Sequence, residues 1–241
     1  MRGIIVLPLV LTWTVICGIV GMLMRIFFSA EFCVQLVAHR LWSPVIFFLF
    51  GIKFTCTFEE KLPEVPSIYI ANHLSQLDIA AVVASIPKGL FFVAKKELSY
   101  VPLLAQYMQV MGMIFVDRGN REKAIQSMEE AADKVSKGKN LVTFPEGTRS
   151  NTGQLQPFKK GSFVIAQKRN IPIVPMAIFG ANKALKKGSF WVKSYPIHVH
   201  IGRAITAEEY EGMSHSELAE YCRNRIQRYL SDTHSTDHEE V

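Results

Sequence analysis

The stretch Ser67-Ile-Tyr-Ile-Ala-Asn-His-Leu-Ser-Gln-Leu-Asp78 joins a short apolar run to the start of an amphipathic segment. Its first residues, Ser67–Ile70, predict a strand. The residues Ser75–Asp78, followed by another apolar run, predict a helix with Ser75 as its N-cap. His73 would then lie on a strand-to-helix loop, where catalytic groups are commonly placed.

His73 and Asp78 are five positions apart, which does not bring two side chains together on any single regular element. On a helix the side chains would be more than about 90° apart, and on a strand they would face opposite sides. They can meet only if the chain turns between them. Two interpretations follow: a base with an acceptor for its second ring proton, or a capping carboxylate beside an ordinary loop histidine.

The first 52 residues are strongly apolar, and we expect them to form a pair of membrane-embedded helices. Gly3–Met24 carries no charged residue, and as a helix it would extend about 33 Å, against a hydrocarbon core of about 30 Å. The second charge-free stretch, Leu41–Ile52, has only 12 residues, too few to span unaided. The segment between them resembles a helix lying in the interface. A cleaved signal peptide fits less well, because the apolar region is too long and no cleavage-site pattern follows it.

Composition restricts the partners of the chain. A formal charge of +6 and 49% hydrophobic residues suit an anionic lipid surface or a phosphorylated substrate. No nucleic-acid-binding signature is present, so we expect no nucleic-acid partner. The four cysteines are scattered, without a C-x-x-C pair, which indicates neither a disulfide framework nor a zinc site. We therefore expect a membrane protein whose catalytic domain is reduced and faces the cytosol (the cytoplasmic membrane in a bacterium).

From residue 53 onward, strand and helix patterns alternate, which predicts an α/β domain over 53–241: a mixed, largely parallel central sheet flanked by helices. The polar residues Ser231–Val241 are expected to fray. The predicted strands are Lys53–Phe58, Ser67–Ala71, Leu90–Ala94, Gly112–Val116, Asn140–Phe144, Ile171–Ile178 and Tyr195–Gly202. The predicted helices are Ser75–Ser85, Val101–Val110, Arg121–Lys137, Gly161–Arg169 and Ser214–Leu230.

Three further clusters follow predicted strands, where functional residues of such sheets gather. They are Phe115-Val-Asp-Arg118, Phe144-Pro-Glu-Gly-Thr-Arg-Ser150 and Phe158-Lys-Lys-Gly161. Arginine forks and a helix start both suit a phosphate group. Taken singly, each cluster also has a structural explanation: a surface Asp117–Arg118 pair, a Glu146–Arg149 pair stabilising a turn, or solvated lysines.

Together, these motifs make the chain resemble the 1-acylglycerol-3-phosphate acyltransferases of the glycerolipid acyltransferase superfamily. Asn72-His73 through Asp78 is similar to the family's H-x4-D motif. Phe115–Arg118, Phe144–Ser150 and Ile171-Pro-Ile-Val-Pro-Met176 resemble its later blocks, in the same order. The resemblance covers roughly residues 53–205.

The resemblance implies transfer of an acyl group from a CoA or carrier-protein thioester to the sn-2 hydroxyl of lysophosphatidic acid, giving phosphatidic acid. His73 would be the general base and Asp78 its partner, without an acyl-enzyme. Lys95, in a block the family also carries, is a candidate oxyanion donor, with backbone amides as an equal alternative. The residues implied for the acceptor's phosphate are Arg118, Glu146, Gly147, Thr148, Arg149 and Lys159.

Glu146 is an unusual phosphate ligand because both groups are anionic, so we expect it to orient Arg149 or the glycerol hydroxyl. We expect no metal and no cofactor beyond the acyl thioester. His198 and His200 share one face of a strand, but without a nearby third ligand they are expected to be ordinary sheet histidines. The serines Ser150 and Ser162 lack the nucleophile-elbow pattern of α/β-hydrolases.

Two other functions stay open. The acceptor could be glycerol-3-phosphate or another lysophospholipid. Alternatively, the chain could be a non-catalytic lipid- or phosphate-binding protein, which would not need His73 and Asp78. Lys183, Lys186 and Lys187 suit a CoA or a carrier-protein donor equally.

Overall fold

The computed structural model describes residues 2–236, with side chains described for 6–232. One seven-stranded sheet, in the order β1-β7-β6-β2-β5-β3-β4, runs through the molecule. β2, β3, β4, β5 and β6 are parallel; β7 is antiparallel to β6, and β1 is parallel to β7. The strands are β1 Phe54–Phe58, β2 Ile68–Ala71, β3 Leu90–Lys95, β4 Ile114–Val116, β5 Asn140–Thr143, β6 Ile173–Phe179 and β7 Ile197–Ile201.

Helices cover both faces of the sheet, as the alternating sequence pattern predicts, and two apolar helices precede it. The helices of the described chain, in order, are α1 Arg2–Met24, α2 Ala30–Cys33, a π-helical segment Val34–Trp42, α3 Ser43–Phe50, α4 Leu77–Ser85, α5 Leu104–Val110, α6 Arg121–Ser136, α7 Gly161–Arg169, α8 Ala181–Ala184 and α9 His215–Thr236. Short 3₁₀ turns lie at Lys96–Tyr100 and Glu208–Tyr210.

The sheet separates two hydrophobic cores. One core packs the N-terminal helices and α4 against residues such as Tyr69 and Val142. The other packs α6, α7 and α9 against the opposite face, where Ile68 and Leu141 point. This alternation along β2 and β5 explains why the strands are apolar at consecutive positions.

The seven predicted strands and five predicted helices are confirmed, with most boundaries within three residues. The largest difference is at the C-terminus, where fraying was expected from Ser231. There the prediction is wrong, because α9 continues to Thr236; residues 237–241 lie outside the described part. Buried side chains on one face of α9, such as Leu218 and Ile226, hold this helix against the sheet.

The N-terminal region forms two long helices, but the second is longer than the sequence predicts. α2, the π-helical segment and α3 join without a break over Ala30–Phe50, a second apolar helix of 21 residues with a mean hydropathy of 1.5. Leu41–Ile52 is therefore no separate short element. Glu31 near its start is accommodated by an ion pair with Lys139, 2.9 Å between Nζ and Oε1.

Both N-terminal helices are long and apolar enough to cross a membrane, a test that buried core helices and signal sequences also pass. In the first helix, only 17% of the most apolar 18-residue stretch within Val6–Met24 is buried. α1 is joined to the domain through α5, where Gly18 and Gly21 face Tyr107. The apolar helices are thus packed on the α/β domain, while few of the described residues of α1 are buried.

The five parallel strands end at one edge of the sheet. His73, Lys96, Asp117 and Phe144 all follow these carboxyl ends within a few residues. This topology brings distant sequence motifs to one place, as expected for open α/β sheets.

Candidate active site

Asn72 fixes the point where β2 ends and the turn begins. Its side-chain amide donates to the Ile178 carbonyl (3.0 Å), and its side-chain oxygen accepts from the Ile178 backbone amide (2.7 Å). This buried, reciprocal pair ties the turn to β6. The chain is therefore anchored directly before His73.

The turn brings His73 and Asp78 into contact. His73 Nδ1 lies 2.8 Å from Asp78 Oδ2. Because a carboxylate can only accept, this contact selects the neutral tautomer in which Nδ1 carries the proton and Nε2 keeps its lone pair. Within the described residues Nε2 has no hydrogen-bond partner, and the His73 side chain is 19% exposed. The ring stacks on Phe144, with centroids 4.2 Å apart and an interplanar angle of 17°.

Asp78 is fully buried and holds the turn as well as the imidazole. Its Oδ2 also accepts from the backbone amides of Leu74 (2.6 Å) and Ser75 (2.8 Å). One carboxylate therefore closes the turn before α4 and also contacts the histidine, so capping does not exclude the pairing. The assignment of His73 as a base stays a prediction. Its other oxygen, Oδ1, is buried without a partner in the described residues.

The helix begins at Leu77 rather than at Ser75, with Gln76 in the cap position. Ser75 still contributes to this end, because its hydroxyl accepts from the Leu77 amide at 3.3 Å. The same hydroxyl donates to the Leu185 carbonyl at 2.8 Å. Ser75 thereby connects the His73 turn to the segment after β6.

Glu146 lies beside His73, but its contacts differ from those expected. Its Oε1 accepts from the His73 backbone amide (2.6 Å) and its Oε2 from the Gln156 amide (3.0 Å). Both oxygens are therefore occupied by backbone amides, not by Arg149. Burial raises the pKa of the Glu146 carboxyl, although these amide bonds and His73 act in the opposite direction.

A cluster of cationic side chains surrounds the loop after β5. Arg118 donates to the Gly147 carbonyl. Lys159 passes over the same glycine, with Nζ 2.9 Å from the position that a Gly147 Cβ would take. Gly147 has φ +73°, a conformation that favours glycine. Thr148 is exposed, and Arg149 is half-buried.

Two ion pairs considered from the sequence do not form. Asp117 pairs with Lys96 (3.0 Å) rather than with Arg118, and hydrogen bonding to Lys96 lowers the pKa of its carboxyl. Arg149 pairs through its backbone carbonyl with Lys187 Nζ at 2.7 Å. Arg118 and the guanidinium of Arg149 thus make no ion pair among the described residues.

Lys95 lies at the same edge of the sheet, but its ammonium pairs with Glu97 at 2.9 Å. Strand alternation places it on the face of Phe91 and Val93, which pack toward α6 and α7. Phe144, which stacks under His73, packs against the opposite core. The role of Lys95 as an oxyanion donor therefore stays a prediction.

His198 and His200 are engaged in the sheet. His198 lies 2.8 Å from Thr55 Oγ1, and His200 lies 3.1 Å from Thr57 Oγ1. Over the described residues, no group of three or more metal-ligating side chains occurs. The sheet interpretation of these histidines therefore agrees with their contacts.

Sequence reasoning missed three residues that hold the site. They are Asn72, Phe144 as a stacking surface, and Ser150, whose amide donates to the His73 carbonyl at 2.8 Å. Each lies next to a motif residue, but its role depends on contacts across strands. No spacing rule within one segment could have revealed them.

Comparison with known proteins identifies the family of the chain. A family model described as Acyltransferase matches residues 53–179. The chain is 42% identical over 146 residues to a 1-acyl-sn-glycerol-3-phosphate acyltransferase of Cocos nucifera, covering 60% of this chain and 47% of that protein. It is 34% identical over 216 residues to the enzyme of the same name from Saccharomyces cerevisiae, covering 87% and 71%.

A solved structure is similar over nearly the whole chain. The crystal structure of the 1-acyl-sn-glycerophosphate (LPA) acyltransferase PlsC from Thermotoga maritima aligns with a TM-score of 0.80 and 25% identity, covering 97% of this chain and 98% of that one. The chain spans about half the length of the plant relative and most of the yeast and bacterial ones. The protein therefore belongs to the 1-acyl-sn-glycerol-3-phosphate acyltransferase family.

Proposed function

We propose that the protein transfers a fatty acyl group from an acyl thioester to the sn-2 hydroxyl of lysophosphatidic acid, producing phosphatidic acid. The observation that carries the proposal is the His73–Asp78 contact, 2.8 Å between Nδ1 and Oδ2, which leaves Nε2 unprotonated. An alcohol is a weak nucleophile and needs a base as the new C–O bond forms. A protein that only bound lipid would have no use for a histidine held in this tautomer.

The reaction proceeds by direct transfer in this proposal. The acceptor's hydroxyl oxygen attacks the thioester carbonyl carbon while Nε2 of His73 takes the hydroxyl proton. Asp78 stabilises the resulting imidazolium, as the carboxylate does in a serine-protease triad. The tetrahedral intermediate then expels the thiolate, which receives the proton from His73 and leaves as a thiol. Histidine and carboxylate end the cycle unchanged.

The oxyanion of the intermediate needs hydrogen-bond donors. Lys95 and backbone amides both remain candidates. Lys95 would have to leave Glu97, and the cost of release is small because the pair is exposed to solvent, which screens it.

The phosphate of the acceptor is assigned to the cationic cluster around the loop after β5. Arg118 and Lys159 converge on Gly147, and Arg149 and Thr148 follow it directly. A dianionic phosphate would offset this concentration of positive charge through charge-assisted hydrogen bonds. Glu146 acts as a positioning residue, because it joins the His73 amide to the Gln156 amide and so couples the base to the phosphate loop.

The acyl donor is a CoA or a carrier-protein thioester, and the proposed chemistry needs no metal or other cofactor. The N-terminal helices would hold the enzyme at a bilayer, where both the acceptor and the product partition, with the domain facing the cytosol. Their length and apolar surface support this placement.

Comparing the acylation rates of different acceptors tests the proposal. The full-length protein would be incubated in vesicles with acyl-CoA or acyl-carrier protein and, in turn, with lysophosphatidic acid, glycerol-3-phosphate and a zwitterionic lysophospholipid. We expect kcat/KM to be highest for lysophosphatidic acid. Faster acylation of another acceptor would reassign the substrate. Lipid binding without acylation of any acceptor would indicate a non-catalytic protein.

A further inference from the structure

The segment Lys186–Lys193, called the aromatic loop here, carries two unusually exposed side chains. Phe190 is 77% exposed and Trp191 is 58% exposed, although they are adjacent in sequence. Large aromatic side chains side by side at a surface are a feature of interaction sites. They lie outside the catalytic and phosphate-binding residues described above.

The aromatic loop is a built structure rather than a loose connection. The Ser189 amide donates to the Lys186 carbonyl (3.0 Å). The Lys193 amide donates to the Ala184 carbonyl (2.8 Å), and this hydrogen bond joins the two ends of the loop. Val192 packs against the hydrophobic core. This backbone holds the two aromatic rings outward while its base stays anchored.

The loop adjoins both the candidate active site and the apolar N-terminal region. Lys187 Nζ donates to the Arg149 carbonyl at 2.7 Å. Directly after the loop, Ser194 donates to the carbonyl of Gly51, which ends the second apolar helix. The loop is therefore continuous with the surface that the N-terminal helices present.

Charge complements the exposed rings. Lys186 and Lys193 flank the loop and make no side-chain hydrogen bond or ion pair among the described residues. Tryptophan favours the headgroup level of a membrane, and lysines near it attract anionic lipids. We propose that the aromatic loop inserts into the headgroup region of an anionic phospholipid bilayer, beside the loop after β5 that it contacts through Lys187.

A second exposed patch supports a membrane rather than a protein partner. Tyr100 is 70% and Leu103 50% exposed, in the segment between β3 and α5. α5 packs on α1 through Tyr107. Apolar side chains thus extend outward on two sides of the same sheet edge, each next to an N-terminal helix. An acidic carrier protein would match the lysines but not this continuity with apolar helices.

The fluorescence of Trp191 tests the proposal without depending on acyl transfer. The full-length protein and its Trp191→Phe variant would be reconstituted in phosphatidylcholine vesicles containing phosphatidylglycerol, and their difference spectrum reports Trp191. We expect this emission to be quenched by lipids brominated near the headgroup and protected from aqueous iodide. Quenching by iodide alone would overturn the proposal. So would protection that appears only when acidic carrier protein is added.

The role of Lys186 and Lys193 is tested by two double variants that change the net charge by the same amount. Lys186→Glu combined with Lys193→Glu should reduce bromolipid quenching of Trp191. Lys123→Glu in α6 combined with Lys137→Glu directly after α6, both at exposed positions, should leave it unchanged. Because the N-terminal helices are intact in every variant, the difference reports the loop and not overall membrane attachment. Equal quenching in the two variants would contradict the role of anionic lipid.

Discussion

Asp78 shows how one side chain can satisfy a structural and a chemical requirement together. A single oxygen accepts from two backbone amides and from the imidazole, at 2.6–2.8 Å. Its burial excludes water, which strengthens its interaction with the imidazolium that forms during the reaction. The spacing of five residues in the H-x4-D motif is the length of turn that makes this geometry possible.

Replacing Asp78 with asparagine separates the two roles. In Asp78→Asn the amide oxygen can still accept from the Leu74 and Ser75 amides, but the negative charge facing His73 is lost. We expect kcat to fall by about 10²–10⁴-fold, with a loss of about 1–3 kcal/mol in the free energy of unfolding. Steady-state rates and urea unfolding measure the two effects. An unchanged kcat would remove Asp78 from the mechanism.

Arg118 is the residue whose replacement tests the proposed phosphate site, because its guanidinium donates to the Gly147 carbonyl in the loop after β5. In Arg118→Gln we expect KM for lysophosphatidic acid to rise by about 10- to 100-fold, the equivalent of one charge-assisted hydrogen bond. Arg169→Gln, at the end of α7, removes an ion pair with Asp133 of α6 and is the matched control. Similar KM values for both variants would argue against the phosphate assignment.

At the scale of elements, the loop after β5 depends on a glycine in a left-handed conformation. Gly147 has φ +73°, and an added Cβ would lie 2.7 Å from Lys159 Cε. Gly147→Ala should cost about 1–2 kcal/mol of stability and, by displacing Lys159, raise KM for lysophosphatidic acid. Gly138→Ala provides the control, since φ is +96° there and nothing lies within 4 Å. KM should be unchanged in the control, and an equal rise in both variants would contradict the account.

Glu59, directly after β1, contacts β7, the segment after β7 and α9. Its carboxylate accepts from the Arg203 amide (2.8 Å) and from Tyr229 of α9 (3.1 Å), and it lies 3.6 Å from His200 of β7. Burial acts to raise the pKa of Glu59, but the bonds from Arg203, Tyr229 and His200 outweigh it and lower the pKa below 4.5.

A lowered pKa in the folded state gives Glu59 a stabilising contribution that is present above about pH 4.5 and is lost as the pH falls through the folded value. In Glu59→Gln we therefore expect a lower Tm at neutral pH and a flatter decline of Tm in acid. Thermal unfolding across this pH range measures both. The exposed neighbour Glu60 supplies the control variant Glu60→Gln, which should keep the wild-type slope; an unchanged slope in Glu59→Gln would refute the linkage.

The sequence predicted elements better than it predicted contacts. The periodicity of apolar residues and the positions of turn-forming residues located β2, β5 and α7, because these segments carry their own apolar patterns. The partners of Glu146 and Arg118 were not predictable from one segment. The Glu146–His73 contact depends on the pairing of β2 with β5, and the Arg118–Gly147 contact depends on the placement of β3 between β4 and β5. The length of the second apolar helix was misjudged because Glu31, His39 and Arg40 interrupt its pattern without ending the helix.

At the scale of the whole molecule, one edge of the sheet collects the proposed base, its carboxylate partner and the cationic cluster. The parallel strands bring the His73 turn and the phosphate loop together, and the apolar helices pack beside that edge. The cationic cluster and the aromatic loop both border it. The proposed catalytic site and the proposed membrane contact thus lie on the same side of the fold.

The most direct test of the central claim is the acylation rate of full-length His73→Ala in vesicles, measured together with its binding of lysophosphatidic acid. His198→Ala is the control, because that histidine lies in the sheet, hydrogen-bonded to Thr55. We predict that His73→Ala loses acylation by about 10²–10⁴-fold while lysophosphatidic acid binding persists, and that His198→Ala stays active. Undiminished acylation by His73→Ala would contradict the account.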